Sequence, residues 1–332
     1  MRWIAWTLLV ALGSAGPLAG QGFEPLDTRG LRWFKGNTHA HTDRSDGDSP
    51  PAVVAGWYRE HGYHFLVLSD HNVFTDPAEL AALTDSTFIL IPGEELTTAF
   101  QRKPVHVNAL NIPHLLEPRQ DSTLLGTLQK NVDAVREVAG VPHVNHPNFR
   151  WALDTATLAR LERDRLLEIF NGHPLVHNAG GDGLPGMEEA WDHLLTAGKR
   201  IYGIAVDDAH HFQQEFAAAR SNPGRGWVAV LAAALEPGAI MDALEAGRFY
   251  ASTGVELDGI EVLPRTLTLQ IRPNSDFRYT TDFIGRGGAV LASVGGVTPH
   301  YELRGDETYV RARVRDSGGA VAWTQPVFVQ QQ

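Results

Sequence analysis

The residues best suited to chemistry stand in Gly36-Asn37-Thr38-His39-Ala40-His41-Thr42-Asp43-Arg44-Ser45-Asp46-Gly47. On an extended segment alternate side chains face the same way, so His39 and His41 point together. Asp46, on the turn that follows, can fold back beside them. Two imidazoles and a carboxylate suit a divalent cation. One His-x-His pair is incidental in most chains, but here the pattern recurs. Asp70-His71 follow the apolar run Phe65–Ser69, and Glu94-Glu95 follow Ile89–Gly93. His106 comes after Val105, His143 and His146 close the run Val141–Asn145, and Asp207-Asp208-Ala209-His210-His211 follow Ile204–Val206. His143, two residues before Asn145, can share the same side, and His211 is ambiguous beside His210. His61, His64, His114, His173, His177, His193 and His300 fit no such position and read as ordinary surface or core residues.

The elements that must position these groups are read from hydrophobic period. Strands are expected at Phe65–Ser69, Phe88–Ile91, Val105–Leu110, Val141–Asn145, Leu167–Phe170, Ile201–Val206 and Trp227–Leu231. Between them Pro51–His61, Leu124–Val138, Leu153–Leu161 and Met187–Ala197 repeat apolar residues at helical spacing, and a last helix covers Gly238–Glu245. Ser49 before Pro50-Pro51 reads as an N-cap. Such alternation predicts an α/β domain with a parallel sheet, open or closed into a barrel. Ligands at the carboxyl ends of successive strands are what such sheets use to build a site. After about Val255 the helical pattern gives way to alternating segments, among them Leu267–Ile271, Tyr301–Leu303 and Tyr309–Val314. These suit a small antiparallel β-sandwich over 255–332. At the other end, residues 1–20 have the layout of a secretory signal: Arg2, the apolar run Ile4–Leu12, then small residues. Residues 21–31 read as a linker.

Composition narrows the chemistry further. The 332-residue chain has 15 His and no Cys, which excludes disulfides, Cys-ligated zinc, iron–sulfur clusters and thiol nucleophiles. Any metal must be held by imidazole and carboxylate, a donor set that suits Zn, Mn or Fe. The net charge of -11 argues against gripping extended nucleic acid and against docking on anionic membrane. With 43% hydrophobic residues the chain can bury a sizeable core.

Taken together, these motifs resemble the PHP (polymerase and histidinol phosphatase) superfamily of metal-dependent phosphoesterases over roughly residues 32–254. Trp33-Phe34-Lys35-Gly36-Asn37-Thr38-His39 and Trp57-Tyr58-Arg59-Glu60-His61-Gly62-Tyr63 are most similar to its branch of CehA/McbA-type metallohydrolases. The resemblance implies a distorted (β/α)7 barrel with two or three divalent metal ions. It implies nine ligands: His39, His41, Asp46, His71, Glu95, His106, His146, Asp208 and His210, with Glu95 bridging. Glu95 and Asp208 would then belong to the catalytic set. Glu168 and Asn171, in Glu168-Ile169-Phe170-Asn171-Gly172, would line the substrate pocket, although Glu168 could equally sit behind the ligands. Two further segments resemble the branch, Gly247–Gly254 and Trp323-Thr324-Gln325-Pro326.

Such paired ions lower the pKa of a bridging water and present hydroxide near neutral pH. The expected activity is an exported, metal-dependent hydrolase, foremost a phosphoesterase acting on a small anionic substrate. An ester or carbamate hydrolase on the same site is the alternative, and a metal-loaded binding protein is a third reading. Phosphate monoesters need cations beyond the metals. Arg44, inside the first motif, is the best placed for catalysis and substrate binding; Arg248, Arg150 and Lys103 are further candidates. Export implies a periplasmic or extracellular location without stable membrane association once the signal is removed.

Overall fold

The computed structural model describes residues 21–213 and 216–331, so the expected signal segment lies outside the described residues. The strands of the first two thirds are β1 (Gln21–Phe23), β2 (Arg32–Asn37), β3 (Phe65–Val67), β4 (Ile89–Ile91), β5 (Gly93–Phe100) and β6 (Lys103–Leu110). They continue as β7 (Val141–Val144), β8 (Leu166–Asn171), β9 (Tyr202–Val206), β10 (Trp227–Ala232) and β11 (Phe249–Ser252). The helices are α1 (Pro51–Glu60), α2 (Leu124–Glu137), α3 (Thr155–Arg160), α4 (Met187–Thr196) and α5 (Pro237–Glu245). Eight more strands follow: β12 (Leu257–Leu263), β13 (Thr266–Ile271), β14 (Tyr279–Ile284), β15 (Val290–Gly295), β16 (His300–Glu302), β17 (Tyr309–Asp316), β18 (Val321–Thr324) and β19 (Val327–Gln331).

The longer helices each carry one apolar stripe and lay it on a sheet. In α2 the stripe is Leu128, Val132 and Val135; in α4 it is Trp191, Leu194 and Leu195, and all six join one core with Val107, Val144 and Leu167. The Thr123 hydroxyl caps α2 by accepting from Gly126 N at 2.9 Å. The expected Ser49 cap is not formed. Pro50 holds the cap position with no side-chain bond, and Pro51 opens α1, because proline's fixed φ already starts the helix.

The expected closed barrel is corrected in the same way. Among the described residues the strands form two ladders, β11-β10-β2-β3-β4 and β5-β6-β7-β8-β9, rather than one closed (β/α)7 ring. The β2-β3-β4 and β7-β8-β9 pairings are parallel, as the alternation predicts. The segment Gly93–Phe100, unassigned from sequence, is a strand that turns directly into β6 and pairs with it antiparallel. The two breaks have local causes. Between β4 and β5, Pro92 has no N–H, and its carbonyl accepts from Asn111 N at 2.7 Å. Between β9 and β10, the Asp207 carboxylate takes the N–H groups of Arg225 and Gly226 (2.6 and 2.8 Å) just where β10 begins.

The C-terminal strands are antiparallel, but their larger sheet continues that of the first ladder. β18 pairs with β11, Tyr250 opposite Thr324, and β1 pairs with β19 at the far edge. A three-stranded sheet, β12-β13-β16, covers one face around Leu267, Leu269, Phe283 and Val310. β17 is fastened to α4 by Arg311, fully buried, whose guanidinium reaches Asp192 (2.8 and 2.6 Å) and Glu188 (2.8 Å). No helix among the described residues is long and apolar enough to cross a membrane.

Candidate metal centre

Backbone bonds clip the ends of β2, β3, β5 and β9 together. His41 N donates to Ala209 O (2.9 Å), Asp208 N to His39 O (3.0 Å), Ser69 N to Ala40 O (2.9 Å) and Glu95 N to Asp70 O (3.1 Å). These clips bring all nine expected ligands into four overlapping groups: His41/Asp46/His71/His210, His39/Glu95/His146, His39/His41/Asp208 and His71/Glu95/His106. In each group one donor atom per residue lies within 4.8 Å of the others. Glu95 faces ring nitrogens of five histidines: His71 and His106 at 2.8 Å, His41 and His146 at 3.4 Å, and His39 at 3.6 Å. Asp208 Oδ1 sits 3.2–3.3 Å from His39 and His41, and Asp46 reaches His71 and His210 at 3.5 and 3.3 Å.

The donor set fits divalent cations. His39 Nε2 and His41 Nε2 approach to 3.1 Å, and Glu95 Oε2 and His106 Nδ1 are buried without a well-aligned hydrogen bond, although each has a polar partner at 2.8 Å. Six imidazoles and three carboxylates converging in poorly aligned hydrogen-bond geometry are the donor set a divalent cation takes. The electrostatics agree. Burial alone would raise the Glu95 and Asp208 carboxyls, yet the surrounding histidines hold both well below the usual range. Burial pushes the His71 imidazole down, but Glu95 and Asp46 bring it up to about 10. His41, buried beside His210, falls to about 4.

A second set of side chains, mostly missed from sequence, orients the ligands. Glu168 is fully buried behind His39, with its Oε1 2.7 Å from Nδ1, and its Oε2 accepts from His146 N and Asn171 Nδ2. Asn171 Nδ2 also reaches Asp208 Oδ2 at 3.1 Å, so Glu168 and Asn171 hold ligands from behind. Asn145 donates to Glu95 Oε1 (2.7 Å) and to Asn108, which donates to Thr38 O. Thr97 Oγ1 lies 2.6 Å from His71 Nδ1. Asp70 takes Thr42 N, Thr42 Oγ1 and Ser45 Oγ, each at 2.7 Å, and so folds the His39–Asp46 loop back on itself. Asp208 adopts φ +49°, a left-handed conformation sustained by its N–H bond to His39 and by the Ser221 hydroxyl on its carbonyl. Of this layer the sequence pointed to Glu168 and Asn171, through the segment Glu168-Ile169-Phe170-Asn171-Gly172.

The cations distribute differently from expectation. Arg44 turns to Glu79 (2.6 Å) and Thr75 (3.1 Å), not to any ligand. Arg248 lies at the opposite end of the strands, where β10 and β11 meet, because its backbone carbonyl accepts from Leu231 N. Beside His106 a cleft of about 590 Å³ is lined by Arg102, Arg150, Thr98 and Gln120. Arg102 and Arg150 have positive φ (68° and 52°), and neither guanidinium is in an ion pair among the described residues. Arg102 occupies the two-residue turn of the β5–β6 hairpin, a position invisible without that hairpin. His173, read as ordinary, stands at the rim with its ring 5.4 Å from His210. His143 is buried at the back of His39 with both ring nitrogens unpartnered.

No protein-family model matches this chain, and a comparison with curated proteins finds no match. Among solved structures, the chain is similar to a two-domain protein from Bacteroides vulgatus described as containing a predicted PHP-like metal-dependent phosphoesterase. The TM-score is 0.53 at 17% identity, over 89% of this chain and 93% of that one. A sulfate-bound amidohydrolase from Chromobacterium violaceum gives a TM-score of 0.41 at 14% identity, over 57% of this chain and 93% of that one. The first likeness extends over both parts of the chain and shows a shared fold.

Proposed function

We propose that this chain is a metal-dependent hydrolase of the PHP superfamily, of the CehA/McbA-type branch, that acts on small anionic phosphoesters. The observation that carries the reading is the convergence of six imidazoles and three carboxylates at one edge of the strands. Bound there, two or three divalent ions would supply Lewis acidity and an acidified water. The chain's own residues do the rest. Glu168 fixes the tautomer and orientation of His39, as carboxylates behind metal-binding histidines do. Asn145 and Asn171 hold Glu95 and Asp208 against reorientation. The more open side, at Asp46, His71 and His210, admits substrate. There the Asp46 side chain is 54% exposed, against 0% for Glu95. Arg102 and Arg150, both unpaired, suit a phosphate oxygen that the ions do not reach. We also propose export through the signal segment 1–20; N-terminal sequencing of chain secreted by a bacterial host, starting near residue 21, tests it.

Turnover of p-nitrophenyl phosphate or bis-p-nitrophenyl phosphate with added Mn or Zn supports the phosphoesterase reading. Turnover of naphthyl acetate or a carbamate alone replaces it with ester hydrolysis on the same site. Hydrolysis of none of these by metal-loaded protein overturns the enzyme reading. Arg102→Gln and Arg150→Gln should each raise KM for a phosphoester about tenfold while kcat changes little, the mark of lost uniform binding.

A further inference from the structure

We propose that a second cavity, at the end of the strands opposite the metal centre, is a binding site for a small organic anion with an aromatic body. The cavity measures about 630 Å³, within the range of small-molecule sites. It is lined where strands begin rather than where they end: Trp33 in β2, Arg165 just before β8, Arg200 and Tyr202 at the start of β9, and Arg248 and Phe249 at β11. Phe328 of β19 and residues 24–27 close its sides. The metal ligands follow the other ends of β2 and β9, and six residues of β2 alone span roughly 20 Å. The two sites are therefore separate.

Its charge is unbalanced toward cation. Three arginines and three carboxylates line it, but two of the carboxylates are engaged elsewhere. Asp27 is held by Arg29 at 2.6 Å, and Glu245 by Arg136. Glu24 lies 3.6 Å from Arg200. Asp164, the neighbour of Arg165 in sequence, is taken by Lys199 at 2.8 Å. Arg165 and Arg248 are left without a carboxylate among the described residues. The Arg248 Nε is buried with no hydrogen-bond acceptor, a state that desolvates a charged donor and goes uncompensated unless an acceptor occupies the cavity.

The walls supply the other half of the recognition. Trp33, Tyr202, Phe249 and Phe328 offer aromatic surface, and Arg200 stacks on Phe328 with its guanidinium carbon 4.5 Å from the ring centre. Gly247 takes φ +69°, and a Cβ there would fall 2.4 Å from the Tyr202 ring. The turn from α5 into β11 thus closes tightly on that ring and carries Arg248 to the cavity. Guanidinium donors beside aromatic faces select a planar anion over a neutral ring or a bare inorganic ion. This site is independent of the hydrolase reading.

The test uses full-length chain and 8-anilino-1-naphthalenesulfonate as the anionic aromatic probe, with N-phenyl-1-naphthylamine as its neutral counterpart. Fluorescence titration should show saturable binding of the sulfonate at one site per chain and weaker binding of the neutral amine. Arg165→Gln and Arg248→Gln should each weaken the sulfonate about tenfold and leave the neutral probe unchanged. Arg165, on the exposed rim, keeps the test valid if loss of the half-buried Arg248 impairs folding, which circular dichroism reports. Absence of saturable binding, equal affinity for the two probes, or sulfonate binding unmoved by Arg165→Gln in folded protein overturns the proposal.

Discussion

The metal centre and the joint between α4 and β17 both bury charged side chains, and they differ in what neutralises them. At the joint, Arg311 is wholly inside the protein yet faces Asp192 and Glu188 within 2.8 Å, and Arg313 covers Glu188 and Asp282. Cation and anion come from the same chain. At the metal centre Glu95, Asp208 and Asp46 face imidazoles and neutral amide or hydroxyl donors, and two of the imidazoles point ring nitrogens at each other. Among the described residues no Lys or Arg pairs with these three carboxylates. A fold that can place a guanidinium against a buried carboxylate at one location has left it out at the other. The joint balances its charges with its own side chains, even though Arg311 Nη1 lacks an acceptor, whereas the centre is balanced by a cation from outside.

That difference can be broken from either side, and chelation should have the largest effect. Removing divalent ions with a strong chelator should abolish hydrolysis and lower the melting temperature. A ligand at a thousand times its Kd stabilises by about 4 kcal/mol, and that stabilisation would be lost. Next is Arg311→Met, which strands Asp192 in the interior and should cost about 3 kcal/mol in denaturant unfolding while bound metal per folded chain stays constant. Asn145→Ala should act in the opposite sense, lowering metal affinity 10- to 100-fold, or about 2 kcal/mol, with a smaller change in the unfolding of metal-free protein. The smallest effect concerns acid. Burial would raise the Glu188 carboxyl, but Arg311 and Arg313 hold it below its ordinary value. Its contribution is therefore full above the unfolded carboxylate pKa and is lost as pH falls through the lower folded one. Glu188→Gln should flatten the fall in stability between pH 5 and 3, measured on metal-free protein so that ligand protonation is common to both chains.

The ligands were legible in sequence for a physical reason. Most follow an apolar run that had to be a buried strand, and the ends of parallel strands converge, so His39, His71 and Asp208 declared themselves together; His106, near the start of antiparallel β6, is the exception. The side chains behind them did not, because Asn108, Asn145 and Asp70 reach their partners across tens of residues that only the folded chain brings close. The β5–β6 hairpin was hidden because its turn, Gln101-Arg102, lacks the Gly or Asn that marks a tight turn, although both residues have positive φ. Arg102 was hidden with it. Arg44 and Arg248 show the converse: a cation near a motif in sequence went to Glu79 in one case and to the far end of the strands in the other. The antiparallel character of the C-terminal strands was visible in their alternation, but their sharing a sheet with β11 was not.

The central claim is that this donor set holds divalent cations, and elemental analysis tests it most directly. Chain purified without chelator and equilibrated with Zn, Mn or Fe should retain two to three ions per molecule after exhaustive dialysis. His39→Ala and Asp208→Ala should each lower that number, while His300→Ala, on an exposed strand of the C-terminal sheet, leaves it unchanged. Retention of less than one ion by wild-type chain, or equal loss in all three variants, would contradict the account.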